Sequence, residues 1–414
     1  MEKISAFSYS RILFDVLHSS SESGQSDDDD STPIEPLAYL KYSDELEAKN
    51  AALREFWKTN RLHGRPGEIL ASPRPRHYRT TTKRRVFFTH GKYRLRFSHH
   101  KEADSKTIML CSALEPREHD EIYSFLAEKI NTPGFSVTAK HLTYIIIRGT
   151  YSEFCVIFNV GLVNGQIVRN LKALAENLKK LNVNITSSFV FSDPTRSDYY
   201  LDNKQSGGAW KIKNLFGPDT LKLTLHDQTY RFDPVSFSQV NQSMLPVMLD
   251  AVKRFCVPCA EKRFIDLYCG YGLFANYVGK HHAEVYGIDS DSASVERGRD
   301  TARFTAKKFG LSTRMYFRTA PITVSSLSEL LPVSGTCDET ILLDPPRQGA
   351  GKGVIDFCAQ REPSSIIHIF CNIDRIPEDL QEWQRYGFRV GEVVALDMFP
   401  GTPSLEVMVL LKPF

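Results

Sequence analysis

The chain has 414 residues, 42% of them apolar and 24% charged, with a formal net charge of +3. That length exceeds one core and implies two or three domains. No apolar run approaches the roughly 18–20 residues that cross a bilayer, the N-terminus M-E-K-I-S-A-F-S-Y-S lacks a secretory pattern, and eight scattered cysteines point to a reducing, cytoplasmic location instead of a disulfide framework.

The first 35 residues include S-S-S-E-S-G-Q-S-D-D-D-D-S-T (19–32). This stretch is polar, acidic and aperiodic, so residues 1–35 are expected to be disordered. Residues 36–69 form a helical lead-in. Within it, Leu46, Ala51, Leu53 and Phe56 stand among charges and predict a surface helix over 43–60. From Arg74 to Arg96 there are nine Lys/Arg and no Asp or Glu, interleaved with Tyr78, Phe87, Phe88 and Tyr93. Two readings stay open. The run is a solvated strand face, or it neutralises phosphates and stacks bases.

Thr143–Arg148 and Glu153–Val160 are rich in Ile, Val, Tyr and Phe around Gly149-Thr-Tyr-Ser, which predicts a β-hairpin. Ile167, Leu171, Leu174, Leu178 and Leu181 follow helical spacing. Residues 70–232 therefore read as an α+β domain that carries the basic surface. The one C-x-x-C pair, Cys256-Val-Pro-Cys259, has no second pair or histidines at ligand spacing. It is read as structural, and no metal is expected.

Residues 233–414 change character. A helix over Gln242–Phe255 leads into apolar strands at Arg263–Leu267, Glu284–Ile288, Thr340–Leu343, Ser365–Phe370, Arg389–Leu396 and Glu406–Leu411. Helical patterns separate the earlier strands, which implies an α/β, doubly wound parallel sheet. The last two are joined by only Asp397–Leu405. That is too short for a crossover helix, so they form an antiparallel hairpin at the sheet edge.

The chemistry-bearing residues sit at strand ends. In F-I-D-L-Y-C-G-Y-G-L-F (264–274), Gly270 and Gly272 make a tight strand-to-helix turn, and Asp289 ends the next strand where a ribose diol would lie. The third glycine of a dinucleotide fingerprint would fall at Asn276, which favours a mononucleoside over NAD. Asp344 leaves its strand in L-L-D-P-P-R-Q-G (342–349), and the two prolines stiffen the loop. Arg347 stands where amino-methyltransferases carry an aromatic residue, which disfavours that chemistry. Cys371 ends I-I-H-I-F-C (366–371). As a buried small residue it needs no function. As a thiolate it could add to pyrimidine carbon 6 and turn carbon 5 into a nucleophile for a sulfonium methyl group. A base must then remove the carbon 5 proton, and Glu406 opens the final strand.

At these positions the chain resembles the RNA uracil-5-methyltransferase family. The matching segments are F-S-Q-V-N (237–241), D-L-Y-C-G-Y-G-L-F (266–274), L-D-P-P-R-Q-G (343–349), F-C-N (370–372) and M-F-P-G-T-P-S-L-E (398–406). The resemblance is greatest to the compact tRNA members that act on uridine 54. It implies a Rossmann-like class I methyltransferase domain over 233–414, with S-adenosyl-L-methionine as cofactor, behind an N-terminal α+β RNA-binding domain. It implies Cys371 as nucleophile and Glu406 as base. Gln239, Tyr268, Gly270, Gly272, Asp289 and Asp344 would line the cofactor pocket. Asp344, Arg347 and Asn372 would meet the substrate base, and Arg79, Lys83 and Arg84 the RNA. The implied partner is structured RNA, tRNA first and rRNA second, with no membrane and no metal, and the protein a monomer. The chain departs from the family pattern at Phe370, Ile373, Leu273, Thr301, Thr305 and Thr319-Ala320-Pro321. The alternatives are an RNA-binding or remodelling protein with a degenerate methyltransferase domain, and a cytosine carbon-5 methyltransferase.

Overall fold

A computed structural model describes residues 8–20, 35–97, 112–196, 211–256, 259–335 and 338–414. The acidic tract Asp27–Asp30 and the Val257-Pro258 link of the C-x-x-C pair lie outside the described residues. The chain divides into two compact units. One comprises Met1–Pro75, Thr224–Phe232 and Ser243–Phe414, the other Arg76–Leu223 and Asp233–Gln242.

The N-terminal segment contains two helices, α1 (Tyr9–Ser20) and α2 (Tyr42–Thr59). Disorder was expected through residue 35, but Tyr9, Ile12 and Leu13 of α1 are buried in the core. The apolar residues that precede the acidic tract supply the burial that ordering requires. Helix α2 is not a surface helix either. It buries Glu45 and Lys49 together with Leu53, Phe56 and Trp57. Both helices belong to the unit that holds the C-terminal sheet.

The second unit contains β1 (Thr82–Thr89), β2 (Lys92–Arg96), α3 (Arg117–Lys129), α4 (Pro133–Ala139), β3 (Leu142–Gly149), β4 (Phe154–Val160), α5 (Gly165–Leu178), β5 (Ile185–Ser192) and β6 (Ile212–Phe216). Its sheet has the order β2-β1-β3-β4-β5-β6. The expected β3–β4 hairpin is present, and the parallel β4–β5 step is made by the α5 crossover. Val86, Ile145, Val156, Phe158 and Val190 of the sheet pack on Ile122, Leu126, Leu171 and Leu174 of the helices.

Alternation along β1 splits the basic run in two. Lys83, Arg85 and Phe87 are half-buried on the face away from these helices. The strand register adds Arg94 and Arg96 to them, opposite Phe87 and Arg85, and Arg96 lies over the Phe87 ring at 4.8 Å. Arg84 points the other way and is fully buried. It donates to both Glu115 carboxylate oxygens at 3.0 and 2.6 Å and stacks on Phe97 and Tyr123. Arg84 is therefore a core residue and is not available to RNA phosphates. Arg79 is half-buried, and its N–H donates to the Leu114 carbonyl at 2.8 Å. Segment 233–242, which contains Gln239, belongs to this unit. Arg148 donates to the Pro234 carbonyl and to Ser238 Oγ, and Gln242 donates to the Gly149 carbonyl at 2.7 Å.

Strands β7 (Leu221–Leu225) and β8 (Gln228–Phe232) form a two-stranded hairpin where the chain leaves this unit. The C-terminal part then runs α6 (Leu245–Phe255), β9 (Cys259–Leu267), α7 (Leu273–Tyr277), β10 (His282–Asp289), α8 (Ser292–Phe309), β11 (Arg314–Thr319), α9 (Val324–Leu330), β12 (Glu339–Leu343), α10 (Val354–Gln360), β13 (Ser365–Phe370), α11 (Ile376–Arg385), β14 (Phe388–Leu396) and β15 (Glu406–Pro413). The sheet order is β11-β10-β9-β12-β13-β15-β14. Strands β9 to β13 pair in parallel, and β15 pairs antiparallel with both β13 and β14. This is the doubly wound sheet with a terminal antiparallel hairpin that the sequence predicts.

The fate of the second unit's buried arginine is measurable. Arg84→Ala leaves Glu115 buried without its partner and should cost about 3–5 kcal/mol in chemical denaturation. Arg85→Ala, on the other face, should stay within about 0.5 kcal/mol of the parent. Equal stabilities for the two variants would contradict this division of the basic run.

Candidate active site

A parallel sheet delivers the carboxyl ends of its strands to one rim, where ligands of such folds bind. Alternation then decides which side chains meet there. Ile265 and Leu267 of β9, Ile288 of β10, Ile341 and Leu343 of β12, Phe370 of β13 and Val407 of β15 all enter one core beneath the sheet. Their neighbours Asp266, Asp289, Asp344, Cys371 and Glu406 therefore project from the opposite face. Five residues from five strands share one face and one rim.

The register brings two of them together. Phe370 of β13 pairs with Val407 of antiparallel β15. One step further along, Cys371 stands opposite Glu406, and residues opposite one another across an antiparallel pair lie side by side on the same face. The loops beyond the strands are latched. Cys371 Sγ lies 3.6 Å from the Pro345 carbonyl as a thiol donor, and Asn372 Nδ2 donates to the Arg347 carbonyl at 3.2 Å. Cys371 borders a cleft with Pro345, Arg347 and Asn372. Cys155, Cys256, Cys269 and Cys358 are buried, whereas Cys371 is partly exposed.

The glycine turn has two separate tasks. Gly270, at φ +51°, has nothing within 4 Å of where a Cβ would stand, so the backbone lies open to a ligand. Its N–H donates to Asp289 at 2.9 Å. Gly272, at φ +74°, is closed: a Cβ there would meet the Phe317 ring at 2.7 Å. Gly287 and Gly298 crowd the same ring, so Gly272 serves packing between α7, α8 and β11. Asn276 takes the place of a third glycine and donates to the Gly272 and Gly298 carbonyls. Tyr268 has φ +64°, and its hydroxyl accepts the Gly351 N–H at 3.1 Å, holding the loop after β12.

Asp266, to which the motif reading gives no role, is fully buried at the centre of the rim. One oxygen accepts the Ala275 N–H at 2.8 Å. The other has no hydrogen-bond partner, and Glu406 Oε2 is buried without one as well. Several departures from the family pattern are packed: Thr305 Oγ1 accepts from Gln228 at 2.8 Å, and Leu273, Phe370 and Ile373 are buried, whereas Thr319 and Pro321 are exposed.

Crowded acids in a low dielectric hold on to their protons. Burial, then the neighbouring Asp289, pushes the Asp344 carboxyl up to about 7. Burial, then Asp344, pushes Glu406 up to about 8 against the opposing pull of Arg347. Burial, then Asp344 and Glu406, pushes the Cys371 thiol up to about 12. Asp266 is raised for the same reasons, burial first. A rim with unpartnered carboxylate oxygens and raised acids suits a ligand that brings positive charge and hydroxyl donors. Asp266, Asp289, Asp344 and the open backbone at Gly270 could hold it.

The segment 313–413, which includes β12 to β15 of this rim, matches the family model described as tRNA (uracil-5-)-methyltransferase. Over this segment the chain is similar to the RNA (uracil-5-)-methyltransferase family. A relative in Halalkalibacterium halodurans, an uncharacterised RNA methyltransferase, is 26% identical over 59% of the chain and 48% of its own length, so the chain spans about half of that protein. The tRNA (uracil(54)-C(5))-methyltransferase of Pyrococcus horikoshii is 24% identical over 91% of the chain and 82% of that protein. The crystal structure of a Pyrococcus abyssi tRNA (uracil-54, C5)-methyltransferase with S-adenosyl-L-homocysteine superposes with a TM-score of 0.64 at 23% identity, covering 91% of this chain and 85% of that one. This likeness supports the fold.

Of the residues that the family resemblance singles out, Tyr268, Gly270, Gly272, Asp289, Asp344, Arg347, Cys371, Asn372 and Glu406 lie in the unit that carries the rim. Gln239, Arg79, Lys83 and Arg84 lie in the other unit.

The raised Glu406 carboxyl has a signature in stability. A carboxyl whose folded value exceeds its unfolded value favours the fold while protonated, and that contribution is lost as pH rises toward about 8. Glu406→Gln should leave Tm unchanged near about pH 4 and raise it by several degrees near about pH 9. Thermal melts at both pH values test this, and a variant that loses stability at the higher pH would contradict the raised carboxyl.

Proposed function

We propose that this protein methylates carbon 5 of uridine in RNA, through a covalent adduct between Cys371 and carbon 6. One arrangement carries the reading: the partly exposed Cys371 directly follows β13, where continuing the Phe370–Val407 pairing by one residue faces it with Glu406, on the face and rim that hold Asp266, Asp289 and Asp344. Nucleophile, base and ligand-binding acids share one site.

S-adenosylmethionine, when bound, supplies an electrophilic methyl group on a sulfonium, and Asp266, Asp289, Asp344 and the Gly270 backbone are the groups that would hold it. Asp344 accepts the thiol proton as Cys371 Sγ bonds to carbon 6 of the uracil, and the 5,6-double bond opens to an enolate. Carbon 5 of this enolate would accept the methyl group as the bond from that methyl to the sulfonium sulfur breaks, leaving a neutral thioether. Glu406 in its charged form then removes the remaining proton from carbon 5. The electron pair re-forms the double bond and expels Cys371, which recovers its proton from Asp344. Arg347, which favours the charged forms of both Cys371 and Glu406, steadies the negative charge that builds up at the thiolate and the base.

The uracil must leave its stack to reach a strand-end thiol. The names of the Pyrococcus relatives support tRNA as the substrate and a uridine equivalent to position 54 as the target. In the other unit the strip of Lys83, Arg85, Arg94 and Arg96 around Phe87 has the cations and the aromatic ring that RNA backbone and base contacts use.

Two variants separate the roles. Cys371→Ala should abolish methyl transfer to tRNA while leaving RNA affinity within a few-fold, as read by tritiated methyl incorporation and filter binding. Glu406→Gln should accumulate a covalent protein–RNA adduct on denaturing gels, because addition proceeds and proton removal does not. Full turnover by Cys371→Ala would remove the assignment. So would nucleoside analysis that finds 5-methylcytidine instead of 5-methyluridine.

A further inference from the structure

The two reacting groups each border an irregular segment, Glu406 at the end of one and Cys371 at the start of another, and the same pair of N-terminal helices grips both. Glu406 follows the loop 397–405 that joins β14 to β15. The Gly401 N–H in that loop donates to Glu45 Oε1 at 2.6 Å, and the Gly401 carbonyl accepts the Leu37 N–H at 3.0 Å. At the loop's origin, Asp397 Oδ1 accepts from Lys49 Nζ at 2.8 Å, and the same ammonium donates to Glu45 Oε1 at 2.7 Å. Glu45, Lys49 and Asp397 are all 0% exposed.

Cys371 leads into a short 3-10 turn, Ile373–Arg375. There Asp374 Oδ1 accepts the Tyr9 N–H at 2.8 Å, the first residue of α1. A carboxylate at a helix N-terminus satisfies an orphan N–H and meets the positive end of the helix dipole. The Tyr9 hydroxyl in turn donates to the Lys49 carbonyl at 3.4 Å, and its ring stands edge-on to Phe56. Helices α1 and α2 are thus one body with a polar anchor on each segment.

Burying three charges is a poor way to gain stability, since apolar residues of the same volume serve as well or better. Such a network fits a different task, the fixing of geometry. We infer that Lys49, through Glu45 and Asp397, positions the loop that delivers Glu406, and that Asp374, through Tyr9, positions the turn that follows Cys371. These are positioning residues: they touch neither substrate nor cofactor. The inference rests on the roles proposed above for Cys371 and Glu406.

The two anchors should fail differently. A displaced base slows resolution of the adduct, whereas a displaced thiol slows its formation. In single-turnover assays with labelled tRNA, Lys49→Met should accumulate adduct as Glu406→Gln does, with resolution slowed roughly tenfold or more. Asp374→Ala should slow adduct formation by a similar factor without accumulation, and Asp374→Asn, which keeps the acceptor for the Tyr9 N–H, should restore it. RNA affinity should stay within about twofold of wild type in each case. Loss of rate in Lys49→Met that tracks only the folded fraction, without adduct, would overturn the role of Lys49. Asp374 is exposed and its variants should fold, so wild-type adduct kinetics in Asp374→Ala would overturn the other anchor even where Lys49→Met fails to fold. Failure of wild type and Glu406→Gln to form any adduct would overturn the functional reading along with this one. Normal behaviour of those two beside unaltered Lys49→Met and Asp374→Ala would overturn the positioning roles alone.

Discussion

Four carboxyl groups converge on one face of one sheet rim, and their mutual repulsion in a buried setting governs the site. Asp344 and Asp289 raise the proton affinity of Asp266, Asp289 raises that of Asp344, Asp344 raises that of Glu406, and Asp344 and Glu406 raise that of Cys371. Burial is the first cause in every case, because water that would otherwise solvate the charged forms is excluded. Burial and these neighbours thus favour the neutral forms of the Cys371 thiol and the Glu406 carboxyl. A cationic ligand at the rim would reverse both tendencies, since positive charge beside a carboxyl or thiol favours the ionised form. Under the proposed mechanism, coupling of this kind ties the reactivity of Cys371 and Glu406 to the bound methyl donor.

Parallel strands bring their carboxyl ends to the rim without further help, and four of the five site residues arrive that way. The fifth needs a different route, because β15 follows β14 after a connection too short for a crossover. Antiparallel insertion between β13 and β14 solves this, since the start of an antiparallel strand lies at the end of its parallel neighbours. The same insertion sets the register that faces Glu406 with Cys371. A one-residue slip of β15 would turn Glu406 to the opposite face and Leu405 or Val407 to the rim. The register is fixed by the apolar face beneath, where Val407, Val409 and Leu411 are fully buried or nearly so. Packing on one side of the sheet thus specifies chemistry on the other.

Much of this is legible in the sequence because strand-end residues follow from the strands themselves. The runs before Asp344 and Cys371 are continuous and apolar, as strands buried on both faces must be, and the short Asp397–Leu405 link declares the hairpin. Strand β11 is harder to delimit. Arg314, Arg318 and Thr319 are exposed at its ends, and Phe317 alone is fully buried. Charge is where pattern reading goes astray. Arg84 belongs to a dense basic run but lies on the inward face of β1, and only the alternation of that strand, Thr82-Lys83-Arg84-Arg85-Val86, hints at it. Glu45 and Lys49 have the spacing of an ordinary surface pair on a helix. Their burial depends on Asp397, some 350 residues away in the chain, and no local pattern encodes that partner. Asp266 was likewise hidden in plain view, since a strand-end aspartate counts as a turn residue until its neighbours are known.

The glycines of the strand-to-helix turn illustrate a related limit. Both Gly270 and Gly272 fit a ligand-binding fingerprint, and both have positive φ, but only Gly270 faces open space. Gly272 is occupied by Phe317, as are Gly287 and Gly298, so one aromatic ring holds α7, β10 and α8 at close approach. Removing the bulk of Phe317 would leave a cavity among three glycines that have no side chains to fill it. The turn that presents Gly270 would then lose its support from below. Backbone exposure toward a ligand at one glycine is therefore a consequence of tight packing at the next, and the spacing of the pair reflects the thickness of that contact as much as the shape of the ligand.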